Sequence, residues 1–380
     1  MIARTLFGLE QVLADELRAL GAEEIQILNR AVQFSGDMAL MYEANLCLRS
    51  ALSILCPLVT FKATNEDMLY LKIRKINWKQ FLNEDNTLAI DSSVHSSYFT
   101  HSHYVALRAK DAIVDQFREK TGVRPSVDTE NPDLRLNLHI SDDTVTLSLD
   151  SSGDSLHRRG YRKVTNIAPI NEVLAAGLVL LSDWDGRSPF IDPMCGSGTI
   201  AIEAALYALN IPPGSLRKKF GFMSWKTFNR ELWNAVKNKA LSRIKTSDFE
   251  FLAADISGKS LNIAKENIDA AGLADKIILI KKPFQKLTPP RGKGGIIIMN
   301  PPYGERMQKK EINDFYKSIG DQLKSNYPGY TAWILSANQQ ALKHVGLRTS
   351  KKITLYNGPL ECRFQKYELY EGSKKHKHKE

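Results

Sequence analysis

The first stretch whose residue types could do chemistry runs from Asp192 to Thr199 and reads Asp-Pro-Met-Cys-Gly-Ser-Gly-Thr. It follows a strand-like run at Pro189–Asp192 and opens a helix predicted over Ile200–Leu209. Its glycines permit a tight turn and let a ligand approach the backbone, and the helix N-terminus offers unpaired N–H groups. The third glycine of the dinucleotide fingerprint is replaced by Ala201, so the pattern favours a ligand with an amine or hydroxyls over a pyrophosphate.

The second stretch ends at Asp255, which stands directly after a strand-like run at Phe249–Ala254. A carboxylate at the tip of the second strand of such a sheet accepts hydrogen bonds from ribose hydroxyls. In a plain βαβ unit this residue would follow the glycine loop by about twenty residues, so the longer spacing here indicates an insert at about 211–245. The insert interleaves bases and aromatic residues, namely Arg217, Lys218, Lys219, Phe220, Trp225, Phe228 and Trp233. Such rings can stack on single-stranded RNA or pack the insert onto the sheet, and we favour packing.

The third stretch, Asn300-Pro-Pro-Tyr-Gly304, follows an apolar strand at Gly295–Met299. Two consecutive prolines cannot donate to a strand ladder, so the strand must end there. An Asn side chain, two prolyl carbonyls and an aromatic ring remain at its carboxyl end. One interpretation is a strand-ending turn, and the other is an amine-binding corner, because open α/β sheets bind their ligands at this edge.

A basic segment, His157-Arg-Arg-Gly-Tyr-Arg-Lys163, lies between two predicted domains. It brings together the positive charges of Arg158, Arg159, Arg162 and Lys163. The segment is either a solvated linker or a contact to a phosphate backbone, and the sequence leaves both interpretations open.

The composition is that of an ordinary globular protein, with 380 residues, 43% apolar, 25% charged and a net charge of +10. The basic balance favours an acidic partner such as nucleic acid. No apolar run has the length of a membrane span and the N-terminus lacks a signal-peptide core, so a cytoplasmic protein is expected. The cysteines are scattered and His95, His101 and His103 read as solvated loop residues, so we expect a reducing compartment and no metal.

The chain divides into four predicted parts. Residues 1–56 alternate helix and strand signals, with Asp37 as the N-cap of a second helix, and form an α+β segment. Residues 57–156 are a second α+β segment with a hairpin. Residues 157–371 alternate strands and helices, which predicts a mostly parallel, doubly wound sheet closed by a hairpin at Ile353–Tyr356 and Cys362–Tyr370. Residues 372–380 have no apolar content and are predicted to be a disordered basic tail.

These stretches together resemble the class I S-adenosylmethionine-dependent methyltransferases that act on exocyclic amino nitrogens. More narrowly, the chain is similar to the bacterial THUMP-domain guanine-N2 ribosomal RNA methyltransferases over nearly its whole length. The resemblance rests on 300–306 (Asn-Pro-Pro-Tyr-Gly-Glu-Arg), on 192–205, on Gly160-Tyr-Arg-Lys163, and on the insert with its Pro-Pro-Gly and Trp225. It implies a Rossmann-like domain with a mixed seven-stranded sheet, preceded by a ferredoxin-like segment and a THUMP RNA-binding domain.

The resemblance also implies S-adenosylmethionine as cofactor and RNA as partner, with 23S rRNA or a ribosome assembly intermediate expected. The implied cofactor residues are Asp192, Pro193, Cys195, Gly196, Gly198, Thr199, Asp255, Ile256, Phe284 and Asn300. The implied catalytic residues are Asn300, Pro301, Pro302 and Tyr303, and the implied RNA contacts are Arg158, Arg159, Arg162 and Lys163. Relatives carry an acid after the third strand for the adenine amino group, whereas this chain has Lys282-Pro-Phe284, so another acceptor would have to replace that carboxylate.

Three functions are compatible with this pattern. The first is methylation of the guanine N2 amine in rRNA. The second keeps the methyl transfer but changes the acceptor to tRNA guanine, adenine N6 or a protein glutamine. The third is a non-catalytic RNA-binding factor, which intact Asp192, Asp255 and Asn300 disfavour.

Overall fold

The computed structural model describes residues 1–162, 169–290, 294–302 and 309–370. Lys163, Tyr303 with the following Gly304-Glu-Arg306, and the predicted basic tail lie outside the described residues. The described chain builds two sheets, one from the first 150 residues and one from the methyltransferase-like part.

The first sheet has eight strands in the order β2-β3-β1-β4-β8-β7-β5-β6. Its elements are β1 (Ile2–Arg4), α1 (Glu10–Ala19), β2 (Glu23–Leu28), β3 (Ala31–Ser35), α2 (Met38–Cys47), β4 (Ser53–Lys62), α3 (Glu66–Arg74), β5 (Thr87–His95), α4 (Ser102–Thr121), β6 (Ser126–Val127), β7 (Leu134–Ser141) and β8 (Thr144–Asp150). The predicted N-cap is confirmed, because the Asp37 carboxylate accepts from the Leu40 N–H at 2.8 Å. The predicted hairpin is formed by β7 and β8, which pair antiparallel with Leu136 opposite Leu149 and Ser141 opposite Thr144.

Strand β4 joins the first two predicted parts instead of separating them. Its first residues, from Ser53 to Leu55, pair with β1, and its residues from Leu55 to Lys62 pair with β8. The boundary predicted between 56 and 57 therefore falls inside a strand. Pro57 cannot donate a backbone hydrogen bond, and it coincides with a shift in the β4–β8 register.

The second sheet has seven strands in the order β11-β10-β9-β12-β13-β15-β14. Its elements are α5 (Glu172–Leu181), β9 (Phe190–Asp192), α6 (Thr199–Ala208), α7 (Arg230–Leu241), β10 (Phe251–Asp255), α8 (Gly258–Ala270), β11 (Ile277–Lys281), β12 (Gly295–Met299), α9 (Lys309–Asn326), β13 (Tyr330–Ser336), α10 (Gln339–Leu342), β14 (Lys351–Asn357) and β15 (Leu360–Glu368). Strands β9 to β13 are parallel and β15 runs antiparallel to β13. The predicted mixed sheet with its closing hairpin is confirmed.

The aromatic rings of the insert pack onto the ferredoxin-like segment. Phe222 lies 4.5 Å from Tyr42 between ring centroids, and Trp233 lies 5.9 Å from the same ring. Phe220 and Phe222 are completely buried in the cluster that holds the core of the first segment. Packing was the correct interpretation, but its partner is the N-terminal segment and not the sheet of the methyltransferase-like part.

Within the described residues, no helix is long and apolar enough to cross a membrane.

Candidate active site

The three chemistry-bearing stretches meet at the carboxyl edge of the second sheet. Strand β9 lies between β10 and β12, with Asp192 beside Ala253 on one side and Ile191 beside Ile297 on the other. Asp192 ends β9, Asp255 ends β10, and Asn300 directly follows β12. Because β10 leads away from β9 in one direction and β12 in the other, a crevice opens between them where ligands bind such sheets.

Asp192 is a buried carboxylate without a hydrogen-bond partner among the described residues. Its residue exposure is 0% and neither side-chain oxygen accepts a hydrogen bond. Burial raises its pKa to about 8, the nearby backbone N–H groups of Met194 and Ala201 oppose this rise, and the charge of Asp255 adds to it. An unpartnered buried carboxyl is costly, so the site is suited to a ligand donor.

The glycine loop leaves open space next to its backbone at one glycine and packs tightly at the other. Gly196 has φ +53° and a Cβ added there would meet nothing within 4 Å, whereas a Cβ on Gly198, at φ +81°, would lie 3.3 Å from the Ala264 side chain. Gly198 is the N-cap residue of α6, which starts at Thr199. Because a glycine has no side chain, the first N–H groups of α6 lack a side-chain cap. Cys195 is buried, and burial raises the pKa of its thiol.

Asp255 is held by two backbone N–H groups. One oxygen accepts from Gly196 at 3.0 Å and the other from Ser257 at 2.8 Å. The carboxylate thereby links the glycine loop to the start of α8, and it keeps further acceptor capacity for a ligand hydroxyl. Ile256, next in the chain, is 69% exposed, which leaves an apolar side chain available to cover a ligand.

Asn300 presents a second unpartnered acceptor. Its side-chain oxygen is buried and receives no hydrogen bond from the described residues. Pro301 after it is buried and Pro302 is exposed. Pro193 lies in the turn after β9 and is also buried.

The structure does not support the predicted contact between Phe284 and an adenine. The residue is 2% exposed and its ring stacks on Tyr327, with 5.6 Å between centroids. Both rings belong to the apolar cluster on one face of the second sheet. Almost no ring surface remains for a ligand. The sequence could not show this, since an aromatic residue after a strand suits a core as well as a binding site.

The basic segment is packed between domains, which excludes the solvated-linker interpretation. Arg159 is 2% exposed, pairs with Glu203 at 3.4 Å and donates to the carbonyls of Leu156 and Arg49. The prediction that Arg159 contacts RNA is therefore wrong, because its guanidinium is enclosed by protein partners. Arg162 is also engaged, with a side chain 15% exposed beside Glu172. Among the three arginines of the described part of the segment, Arg158 alone is exposed, at 68% of its side chain, and it lies 3.6 Å from Asp154.

Two positioning residues escaped the sequence analysis. The Asn267 amide, completely buried on α8, donates to the Ser197 carbonyl of the glycine loop at 3.0 Å. Glu203, completely buried on α6, accepts from the Tyr161 hydroxyl at 2.9 Å. Their signal was a polar residue within an apolar helix face, because buried polar side chains need partners.

The chain matches families of known proteins over most of its length. The family model described as "RMKL-like, methyltransferase domain" matches residues 159–366, a THUMP domain matches 63–150, and an "RlmL ferredoxin-like domain" matches 1–55. A Synechocystis sp. protein provisionally named an RNA methyltransferase is 41% identical over 369 residues, which are 96% of this chain and 95% of that protein. The ribosomal RNA large subunit methyltransferase K/L of Syntrophotalea carbinolica is 40% identical over 96% of this chain, but the chain spans about half of that protein, 53%.

A solved structure, of a protein provisionally described as a methyltransferase and crystallised with SAH, has a TM-score of 0.87. The two chains are 29% identical, and each is covered to 98%. With the family model matching more than half of its residues, this chain belongs to the RMKL-like methyltransferase family, in its form with ferredoxin-like and THUMP domains and a class I methyltransferase fold.

Proposed function

We propose that the protein is an S-adenosylmethionine-dependent RNA methyltransferase that transfers a methyl group to the exocyclic N2 of a guanine, in 23S rRNA. The observation that carries the proposal is the pair of buried, unpartnered acceptors at the crevice, the Asp192 carboxyl and the Asn300 amide oxygen. Two such acceptors at neighbouring strand ends suit two ligands that donate, a cofactor amine and a target amine.

The residues around the crevice fit S-adenosylmethionine. Asp192 would accept from an amine of the ligand, Asp255 would accept from ribose hydroxyls, and the open space at Gly196 would take the ligand against the backbone. When bound, the cofactor supplies an activated methyl group. Its role here is further supported by SAH in the crystal structure of a similar protein.

The chain's own contribution to methyl transfer would be alignment. An aromatic amine is a poor nucleophile because its lone pair is delocalised into the ring. The Asn300 side-chain oxygen and the Pro301 carbonyl would accept from the amino group, fix its orientation and stabilise the positive charge that develops on nitrogen. Tyr303 would stack on the target base, which must leave its own stack to enter the crevice.

An RNA substrate is supported by the THUMP domain, the net charge of +10 and the names of the relatives. A polar cleft of about 690 Å³ lies between the first sheet and the start of the methyltransferase domain, and its lining combines Arg4, Arg135 and Arg158 with the carboxylates of Asp91, Glu130, Asp150 and Asp154. Because the charges of this cleft are mixed, we propose only its exposed Arg158 as an RNA contact. All four cysteines are free thiols, which agrees with a cytoplasmic location.

Replacing Asn300 by Ala tests the assignment. We expect kcat to fall by about 100-fold or more, because an acceptor used in the transition state is lost, while the Kd for S-adenosylmethionine changes little. Asn229→Ala is the control, since that side chain only caps α7 and should leave kcat unchanged. An Asn300→Ala protein with normal kcat would refute the role of this residue.

The acceptor base is identified by the product. RNA methylated by the protein, digested to nucleosides and analysed by mass spectrometry, should contain N2-methylguanosine. N6-methyladenosine, or a methylated glutamine in a protein substrate, would instead establish the alternative acceptors. Absence of both cofactor binding and methylation would leave the non-catalytic RNA-binding factor.

A further inference from the structure

The side chain of Arg162 reaches the glycine loop instead of solvent. One guanidinium nitrogen donates to the Thr199 hydroxyl at 3.1 Å and to the Ile170 carbonyl at 2.8 Å. The Arg162 Nε lies 2.8 Å from the Glu172 carboxylate, but its N–H does not point at that oxygen, so the contact is an ion pair without a hydrogen bond. Two parts of the chain, the start of α5 and the start of α6, thus meet at one guanidinium.

The contact lies where the loop becomes a helix. Thr199 is the first residue of α6, it is 1% exposed, and its hydroxyl is also 3.3 Å from the Ser197 hydroxyl. Through Ser197 the same loop is tied to Asn267 on α8. The loop therefore has side-chain tethers from Asp255 on β10, from Asn267 on α8 and from Arg162, and Arg162 is the one that comes from outside the βαβ unit.

Pairing with Glu172 does not by itself explain why the Arg162 guanidinium lies at the start of α6. The N-terminus of a helix carries a partial positive charge, so a guanidinium there is electrostatically unfavourable and needs compensation. Glu172 provides it, and the remaining field favours a ligand with negative charge near the start of α6.

We propose that Arg162 is a positioning residue for the cofactor loop: it fixes Thr199, and through it the Cys195–Gly198 turn, in the conformation that binds S-adenosylmethionine. The inference rests on the proposed cofactor and replaces the prediction that Arg162 binds RNA. The residue couples the segment that leaves the RNA-binding half to the loop that takes the cofactor.

Hydrogen exchange of the ligand-free full-length protein tests the positioning directly. In Arg162→Ala, peptides covering 194–202 should exchange faster than in the wild type, because the loop loses one tether. The matched control is Arg135→Ala, which removes a guanidinium of similar exposure, 14% of the side chain, paired with Asp91 and the Thr129 carbonyl in the first sheet. That control should leave exchange in 194–202 unchanged.

Calorimetric titration with S-adenosylmethionine provides the second readout. We expect Arg162→Ala to raise the Kd by about tenfold, the loss of one hydrogen bond from a charged group. Arg162→Lys should raise the Kd less, because the positive charge stays although one ammonium cannot reach all three partners. This variant replaces Arg162→Ala in the test if the Ala protein fails to fold. Thr199→Val should add little to Arg162→Ala in a double-mutant cycle. The KM for RNA should stay within about twofold in each variant.

Two results would overturn the inference. One is unchanged exchange in 194–202 with a loss of global stability like that of the control, which means a structural role alone. The other is a weaker RNA affinity with a salt slope reduced by about one, which means a phosphate contact. If the wild type failed to bind S-adenosylmethionine, the proposed function would fall, while loop exchange would still decide the positioning role.

Discussion

At the scale of single residues, the site is defined by acceptors that lack donors. Asp192 and Asn300 keep buried oxygens free, whereas one oxygen of Asp255 holds the glycine loop and the other holds the start of α8. The sequence predicted all three positions, because each follows an apolar run that ends at the same sheet edge. It could not predict which oxygens remain free, since that depends on backbone N–H groups brought together only by folding.

The pKa of Asp192 predicts a pH dependence. Its pKa is raised to about 8 in the folded protein, so the native state binds this proton between about pH 4 and 8 while the unfolded state has lost it. The free energy of unfolding should therefore fall as the pH rises through this window. In Asp192→Asn the fall should be shallower. Chemical denaturation of the ligand-free protein at several pH values measures both slopes, and identical slopes would contradict the raised pKa.

Gly196 predicts a selective loss of cofactor binding. In Gly196→Ala the new Cβ meets no protein atom but occupies the open space at the loop, and φ +53° costs about 1–2 kcal/mol for an L-residue. We expect the Kd for S-adenosylmethionine to rise by about tenfold or more. Gly272→Ala is the matched control, at φ +71° and with nothing within 4 Å, because it has the same strain in a turn after α8. Equal Kd values in both variants would show that the space at Gly196 is not used.

At the scale of elements, the sequence predicted strands β9, β10 and β12, helix α6 and the closing hairpin of the second sheet to within a few residues. It did not predict which elements pack against each other, because periodicity identifies an apolar face but not what covers it. The rings of the insert show this, since they were expected on the sheet and instead complete the core around Tyr42. Phe284 failed for the same reason.

Trp233 on α7 tests this shared core. Trp233→Ala should reduce the free energy of unfolding by about 3–5 kcal/mol, because a large buried ring is lost and a cavity remains. Leu216→Ala, at a 37% exposed position of the same insert, should change it by less than about 1 kcal/mol. Urea denaturation followed by tryptophan fluorescence and by circular dichroism gives the two values. A small effect of Trp233→Ala would mean that the insert docks only loosely.

At the scale of the whole molecule, buried polar contacts connect the parts. Arg159 joins the carbonyl of Arg49 in the ferredoxin-like segment to Glu203 on α6. The insert adds a second connection, since the Lys226 ammonium donates to the carbonyls of Lys79 and Leu82 in the THUMP part. Among these residues Arg159 was predicted to contact RNA, because charge alone does not distinguish a buried ion pair from an exposed patch.

The pair of Arg159 and Glu203 predicts a stability effect across these parts. Glu203→Gln leaves the guanidinium buried without its counter-charge and should lower the free energy of unfolding by about 3–5 kcal/mol. Adding Arg159→Met removes the uncompensated charge and should recover part of this loss. Thermal denaturation of both variants measures the recovery. If the double variant is less stable than Glu203→Gln, the arginine is held chiefly by its carbonyl partners.

Strand β4 runs without a break from the ferredoxin-like segment into the THUMP part. A strand shared in this way places the two parts in one hydrogen-bonded sheet, so a change in their relative orientation would have to bend or break β4. If this sheet holds the RNA, as proposed, the distance between the bound RNA and the crevice is set by the fold of the N-terminal half and by its contacts to the methyltransferase part. The choice of target would then depend on the span of the RNA between these two points as well as on its sequence.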